Sequence, residues 1–236
     1  MTGQVWLVGA GPGDPGLVTV RGLELLRRCD AVVFDRLVAT ELVDEAPIEA
    51  LRICREPLGQ DEINSLLVQL ARCGLDVVRL KGGDPFLFGR GGEEALALVQ
   101  AGIPFEVVPG VSSLAAVPAA AAIPITHRGV SSQVTIVNGH GPLDFASLAT
   151  AGGTLVLFMG LGRLEELANG LVAHGLRAST KAAVISNGTL PAQRTIVAPL
   201  SEIAGAARDL EPPALVVVGD VVGLAAARGP LAAVAA

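Results

Sequence analysis

With 236 residues, the chain has room for one large domain or two small ones, and 51% hydrophobic residues supply a sizeable core. A net charge of −6 excludes broad nucleic-acid binding, which needs a basic footprint, so an anionic small substrate requires a local basic pocket. Three cysteines without a C-x-x-C pair point to reduced thiols in the cytoplasm, and three histidines without H-x-x-x-H spacing point away from a metal site. No signal-peptide pattern is present, since Met1 to Gln4 is polar and the next apolar run has four residues. The longest apolar region, 111–125, contains Ser112, Ser113 and two prolines, so no membrane partner is expected.

Residues 5–8 (Val-Trp-Leu-Val) read as a strand, followed by a loop in which Gly11, Gly13 and Gly16 match G-x-G-x-x-G. Thr19 caps a predicted helix that runs to about Arg28. The second strand, 31–34, ends in Asp35, about twenty residues past the glycines, as a dinucleotide fold requires. An NAD-dependent oxidoreductase is therefore one reading. Pro12 and Pro15 weigh against it, because a phosphate cradle works through backbone N–H groups and proline has none. A helix is predicted over 60–73, with Gly74 just past its end.

The chain turns on residues 77–94. Val77-Val78-Arg79-Leu80-Lys81 is a buried strand, broken by Gly82-Gly83, which let a ligand approach with no Cβ in the way. Asp84-Pro85 signals a turn, Arg90 is flanked by glycines, and Glu93-Glu94 opens a helix that reaches Ala101 and is closed by Gly102. Charged, glycine-rich loops after strands are where open α/β sheets bind ligands. Only Lys81 and Lys181 are lysines, against fifteen arginines, so a lysine retained here is expected to have a specific role. A strand over 105–108 and an alanine-rich segment to 122 complete a β-α-β-loop-α-β-α-β-α pattern, hence a mostly parallel sheet.

Residues 123–129 read as the hinge into the second half and carry the basic pair His127-Arg128. Strands are predicted near 133–138, 154–158, 182–186, 194–197 and 214–219, with helices near 145–150, 162–174 and 201–209. Residues 188–200 leave no room for a helix, so this sheet is expected to be mixed, with an antiparallel part. The fold class is α/β, with two α/β domains (1–118 and 119–236) and a crevice between them. The alanine-rich tail from Leu224 reads as an exposed or docked end.

The chain resembles the uroporphyrinogen-III C-methyltransferases of the tetrapyrrole methylase superfamily. The resemblance is carried by 7–15 (Leu-Val-Gly-Ala-Gly-Pro-Gly-Asp-Pro), Asp35-Arg36-Leu37-Val38, 78–94, 102–110, 123–128, Met159-Gly160 and Pro213-Ala214-Leu215. It implies a homodimer of two-domain chains with an S-adenosyl-L-methionine (SAM) site in the cleft, giving S-adenosyl-L-homocysteine as product. The implied reaction is two methyl transfers to ring carbons of uroporphyrinogen III, giving precorrin-2 through precorrin-1 for sirohaem or cobalamin. By the resemblance, Pro12, Gly82, Gly83, Asp84, Leu87, Ser112, Ser113, Met159, Ala183, Gly188 and Ala214 contact SAM. Asp35 stands where the general base is expected, Arg90, Glu93 and Arg128 where substrate-handling catalytic residues lie, and Arg36, Lys81 and His127 near the substrate.

The chemistry agrees with these residue types. Methyl transfer from a sulfonium needs alignment more than a metal, a substrate with eight carboxylates calls for arginines, and carbon methylation releases a proton that a carboxylate can accept. The chain departs from the family in a shortened 53–59 loop without the usual lysine, where Arg55 stands in but cannot donate a proton at neutral pH. Ser112-Ser113 replaces Thr-Ala, Ala121 stands near an expected Tyr, and Phe158 replaces a Tyr. Alternatives of other kinds are a sister methylase acting on a later corrin precursor, on diphthamide or on ribosomal RNA, and a tetrapyrrole-binding protein without turnover.

Overall fold

The structure, a computed structural model, describes residues 2–228. The chain divides into two compact units that part between Ser113 and Leu114. The described residues end in a 3-10 helix, Asp220–Arg228, and the rest of the alanine-rich tail lies outside them.

The first unit is built on one parallel sheet of β1 (Val5–Gly9), β2 (Ala31–Phe34), β3 (Leu51–Cys54), β4 (Val77–Lys81) and β5 (Phe105–Val108), in the order β3-β2-β4-β1-β5. The central strands β1 and β4 are buried along their whole length, as in a sheet covered on both faces; β1 is a continuous apolar run, whereas β4 encloses Arg79 and Lys81. Trp6, Val8, Val78 and Leu80 pack against α1 (Val20–Leu26) and α2 (Thr40–Asp44). Val5, Leu7 and Val77 point the other way, onto α3 (Gln60–Arg72) and α4 (Gly91–Ala101). The period of two along each strand sorts the two faces.

Local signals set the helix ends. Thr19 Oγ1 accepts from Gly22 N at 3.1 Å and starts α1. Glu62 reaches back to Gly59 N at 2.7 Å at the start of α3, and Gly102 closes α4 in the left-handed region at φ +68°. The sequence reading gave this unit four strands and no helix between Asp35 and Ile53; the structure adds α2 and β3. Neither has a local signal. α2 has five residues and no capping side chain, and β3 is an edge strand whose Leu51, Arg52 and Cys54 are all exposed, so no alternation marks it.

The second unit carries a mixed sheet of β6 (Val134–Asn138), β7 (Thr154–Phe158), β8 (Lys181–Ser186), β9 (Arg194–Pro199) and β10 (Ala214–Val218), ordered β6-β7-β10-β8-β9. Only β6 and β7 pair in parallel; β10 runs antiparallel to both β7 and β8, and β8 to β9. The short 187–193 connection between β8 and β9 gives the expected antiparallel pair. One face packs on α6 (Phe145–Thr150), α7 (Leu164–Ala173) and α8 (Ile203–Ala206). The other packs on α5 (Ser113–Ala120) and the 220–228 segment, through Val117, Val221 and Val222.

Candidate active site

In the first unit the loops after β1, β4 and β5 meet backbone to backbone at the carboxyl edge of the sheet. Gly11 N donates to Gly83 O at 3.3 Å and Gly83 N to Gly11 O at 2.6 Å. A Cβ on Gly9 would lie 2.4 Å from Gly110 Cα, and one on Gly110 would lie 2.2 Å from Gly83 O. Glycine is therefore demanded here by close approach. Asp84 staples the same loops, since Oδ1 accepts from Phe86 N at 2.9 Å and Oδ2 from Gly110 N at 3.1 Å. Gly82 differs from its neighbours: a Cβ there would meet nothing within 4 Å. The protein itself gives no steric reason for a glycine at 82, and the space above it suits a ligand passing close to the backbone.

This shelf does not form a dinucleotide cradle. The Gly11 N–H is spent on Gly83, Pro15 opens a 3-10 turn capped by Asp14, and the next helix starts only at Val20. Asp14, Pro12 and the paired glycines thus make a stiff edge with few free donors. Ser112 and Ser113 follow β5 and Gly110, and Leu87 is half-buried in the loop after Asp84. Phe88 and Arg90 hold left-handed backbone at φ +55° and +59°, an arrangement that costs each about 1–3 kcal/mol and is concentrated at functional sites. Phe86 and Phe88 are 57% and 40% exposed beside them.

Charge gathers at the same edge. Asp35, at the end of β2, accepts from Arg79 Nη2 at 2.5 Å, and Arg55 Nε, following β3, stands 4.0 Å from the same oxygen. Arg36 is exposed next to Asp35. Arg90 grips Glu93 with two bonds of 2.8 and 2.7 Å, both side chains half exposed. That hydrogen bonding holds the Glu93 carboxyl below, and the Arg90 guanidinium above, their ordinary values. Lys81 and Glu94 are different. Lys81 was expected to reach substrate, yet it is 1% exposed and its ammonium sits 2.9 Å from Glu94, itself fully buried. Burial first, then repulsion from Arg79, lowers the Lys81 pKa.

The second unit has an edge of its own. Because β10 opposes both β7 and β8, the end of β7, the end of β8 and the start of β10 lie together, which places Met159, Gly188 and Ala214 on one side of the sheet. Met159, Asn187 and Thr189 all carry positive φ, at +55°, +50° and +71°, so strain marks this edge too. A Cβ on Gly188 would fall 2.5 Å from Val117 Cγ1. Ala183 does not join them. It lies in mid-strand opposite Val217 and Val197, without exposed surface, packed with Val117 and Ile123. His127 and Arg128 are exposed in a turn closed by His127 N and Ser131 O at 2.9 Å, with His127 Nδ1 2.8 Å from Arg128 O. Among the described residues, no group of three or more His, Cys, Asp or Glu is placed to hold a metal, and no helix is long and apolar enough to cross a membrane.

The parallel first sheet and the mixed second sheet are those of a methylase fold, and the family model for Tetrapyrrole (Corrin/Porphyrin) Methylases matches residues 4–204. The chain belongs to that family. Siroheme synthase 1 of Pectobacterium atrosepticum is 48% identical over 233 residues, which are 94% of this chain and 48% of that protein. The chain thus spans about half the length of the curated relatives it matches. The uroporphyrin-III C-methyltransferase of Thermus thermophilus, in a crystal complex with S-adenosyl homocysteine, superposes with a TM-score of 0.84 at 40% identity, over 94% of this chain and all of that one. A cobalt precorrin-4 methyltransferase superposes with a TM-score of 0.87 at 27% identity, covering 93% and 95% of the two chains.

Proposed function

We propose that the chain catalyses SAM-dependent C-methylation of uroporphyrinogen III at two ring carbons, through precorrin-1 to precorrin-2, feeding sirohaem or cobalamin synthesis. One observation carries the reading: a uroporphyrin-III C-methyltransferase crystallised with S-adenosyl homocysteine covers 94% of this chain at 40% identity. The shelf that is open over Gly82 agrees with it. The cofactor, when bound, supplies an electrophilic methyl group on sulfur. By the resemblance, Pro12, Gly82, Gly83, Leu87, Ser112, Ser113, Met159, Gly188 and Ala214 are the residues that would hold it. Asp84 contributes by shaping the loop, since both its oxygens are bound to backbone. Ala183 is left out of this set because its side chain is enclosed.

Asp35 accepts the proton released from the methylated carbon, and its bond to Arg79 keeps the carboxylate aimed. Arg36, Arg90, Arg128 and His127 hold substrate carboxylates; the exposed Arg90–Glu93 pair can exchange one carboxylate for another. Lys81 serves from below, through Glu94. The working form is a cytoplasmic homodimer, which light scattering on the purified chain would check.

The test is anaerobic incubation with uroporphyrinogen III and SAM, followed by mass spectrometry of the tetrapyrrole. A gain of two methyl groups is expected. Asp35→Asn should lower the rate by about 10²–10⁴-fold while SAM binding by calorimetry persists. SAM binding without methylation of this substrate would favour a later corrin precursor, the reading to which the 0.87 TM-score with the cobalt precorrin-4 enzyme lends weight.

A further inference from the structure

Below Asp35 lies a set of enclosed charges that methyl transfer by itself does not require. Arg79 and Lys81, two apart on β4, point to the same face and are 1% exposed. Glu94 meets them from α4, where Glu93 faces solvent and Glu94, about 100° further round the helix, faces the sheet. Glu94 Oε1 takes Arg79 Nε at 3.0 Å, Lys81 Nζ at 2.9 Å and Gln60 Nε2 at 3.4 Å, while Oε2 is buried without a partner. All three guanidinium nitrogens of Arg79 are engaged: Nε with Glu94, Nη1 with the carbonyls of Val33 and Leu80 at 3.3 Å each, and Nη2 with Asp35. The guanidinium is planar and rigid, so fixing one edge with Glu94 fixes where the other edge presents itself to Asp35.

We propose that Glu94 is a positioning residue for Asp35, acting through the locked Arg79 guanidinium, with Lys81 anchoring Glu94 from the opposite side. The inference rests on the reading of Asp35 as proton acceptor. Stability alone gives a poor account of the arrangement. Enclosed ion networks are commonly replaced by apolar side chains without loss, and a carboxylate kept for hydrogen bonding would not leave Oε2 unpaired. The charges that face the Asp35–Glu94 pair are Arg79 and Lys81 from β4 and Arg55 after β3, with Arg90 at the head of α4 felt by Glu94, Glu93 and Asp61. Among the groups in direct reach, two carboxylates (Asp35, Glu94) face three cations (Arg55, Arg79, Lys81), which leaves one positive charge in excess.

The pH profile of kcat for methylation of uroporphyrinogen III tests this. Glu94→Gln removes a negative charge, so Asp35 is surrounded by less compensated cations and becomes a weaker base. Its acid limb should move to lower pH, and kcat at pH 7.5 should fall by about tenfold or more, with KM for the tetrapyrrole and Kd for SAM within about threefold of the parent. Lys81→Met removes a cation and should move the acid limb the other way. The Glu94→Gln/Lys81→Met double variant restores the parent's net charge, and its limb should return toward the parent position. Glu94→Gln and Lys81→Met profiles displaced in the same direction, or not displaced while Tm drops, would overturn the proposal. Should Glu94→Gln fail to fold, Lys81→Met and the double variant decide it: a parent-like limb in Lys81→Met overturns it. A parent protein that binds SAM but leaves uroporphyrinogen III unmethylated defeats the underlying reading instead, a result none of the variant comparisons can produce.

Discussion

Strand β4 of the first unit and strand β10 of the second occupy equivalent places, the interior of a five-stranded sheet, and are almost equally enclosed. Their chemistry differs. β10 is Ala-Leu-Val-Val-Val, and its partners on β7 and β8 are apolar but for Ser186 opposite Ala214, so its burial is stabilised by removal of apolar surface alone. β4 encloses Arg79 and Lys81 and needs Glu94 and Asp35 to make that tolerable. Enclosed charge on one sheet and none at the matching place on the other separates a strand that builds chemistry from one that builds a core.

The comparison breaks most easily on the apolar side. Leu157→Ala, at a site 1% exposed on β7, should cost about 2–5 kcal/mol, read as a loss in chemical denaturation of the second unit. Next come the two glycines of the first unit's edge. Gly110→Ala puts a Cβ 2.2 Å from Gly83 O, and backbone cannot step aside as a side chain can, so about 1–3 kcal/mol of destabilisation is expected, with a lower Tm. Gly82→Ala meets no protein atom and should leave Tm unchanged while weakening SAM binding by about tenfold in calorimetry. Equal Tm losses in the two variants would remove the distinction between a glycine required by the fold and one required by the ligand.

A smaller effect sharpens the charged side. The folded-state pKa of Lys81 is lowered, so over the alkaline range below its ordinary value of 10.5 the unfolded chain binds more protons than the folded one. Stability gained from this group therefore rises with pH across that range. Lys81→Met should lose the rise, visible as a flatter difference between denaturation free energies at pH 8 and pH 10. A slope identical to the parent's would mean that Lys81 is not the strained cation of this core.

Much of this was legible in the sequence. Thr19, Gly74 and Gly102 marked helix ends that the structure keeps, and the lack of room for a helix in 188–200 gave the antiparallel β8–β9 pair. The missing parts have physical causes. β3 exposes nearly all of its side chains at a sheet edge, so it has no period to detect. Glu93-Glu94 reads as an acidic pair at a helix start, a favourable place for both, and that local sense masks the fact that only Glu93 stays in solvent. The signal that would have found Glu94 is two strands away from intuition but simple: Arg79 and Lys81 share one face of a buried strand, and such a pair demands a buried carboxylate nearby. Ala183 is the opposite case, a residue assigned by resemblance whose side chain lies inside the buried run of β8.

The thiols offer the finest test of the first unit's order. All three cysteines belong to it. Cys29 is buried, donates to Leu26 O at 3.3 Å and is pushed up to about 11, chiefly by burial, whereas Cys54 and Cys73 are exposed. A thiolate is the reactive form, and at pH 8 only about a thousandth of Cys29 would carry it even if reagent could enter. Titration with an aromatic disulfide should therefore give two fast thiols per native chain and a third only in denaturant. Because the slow thiol can react only when the unit opens, Gly110→Ala should hasten it and Gly82→Ala should not. Three fast thiols in the parent would mean that the core against α1, on which the Asp35 edge is built, is looser than its packing indicates.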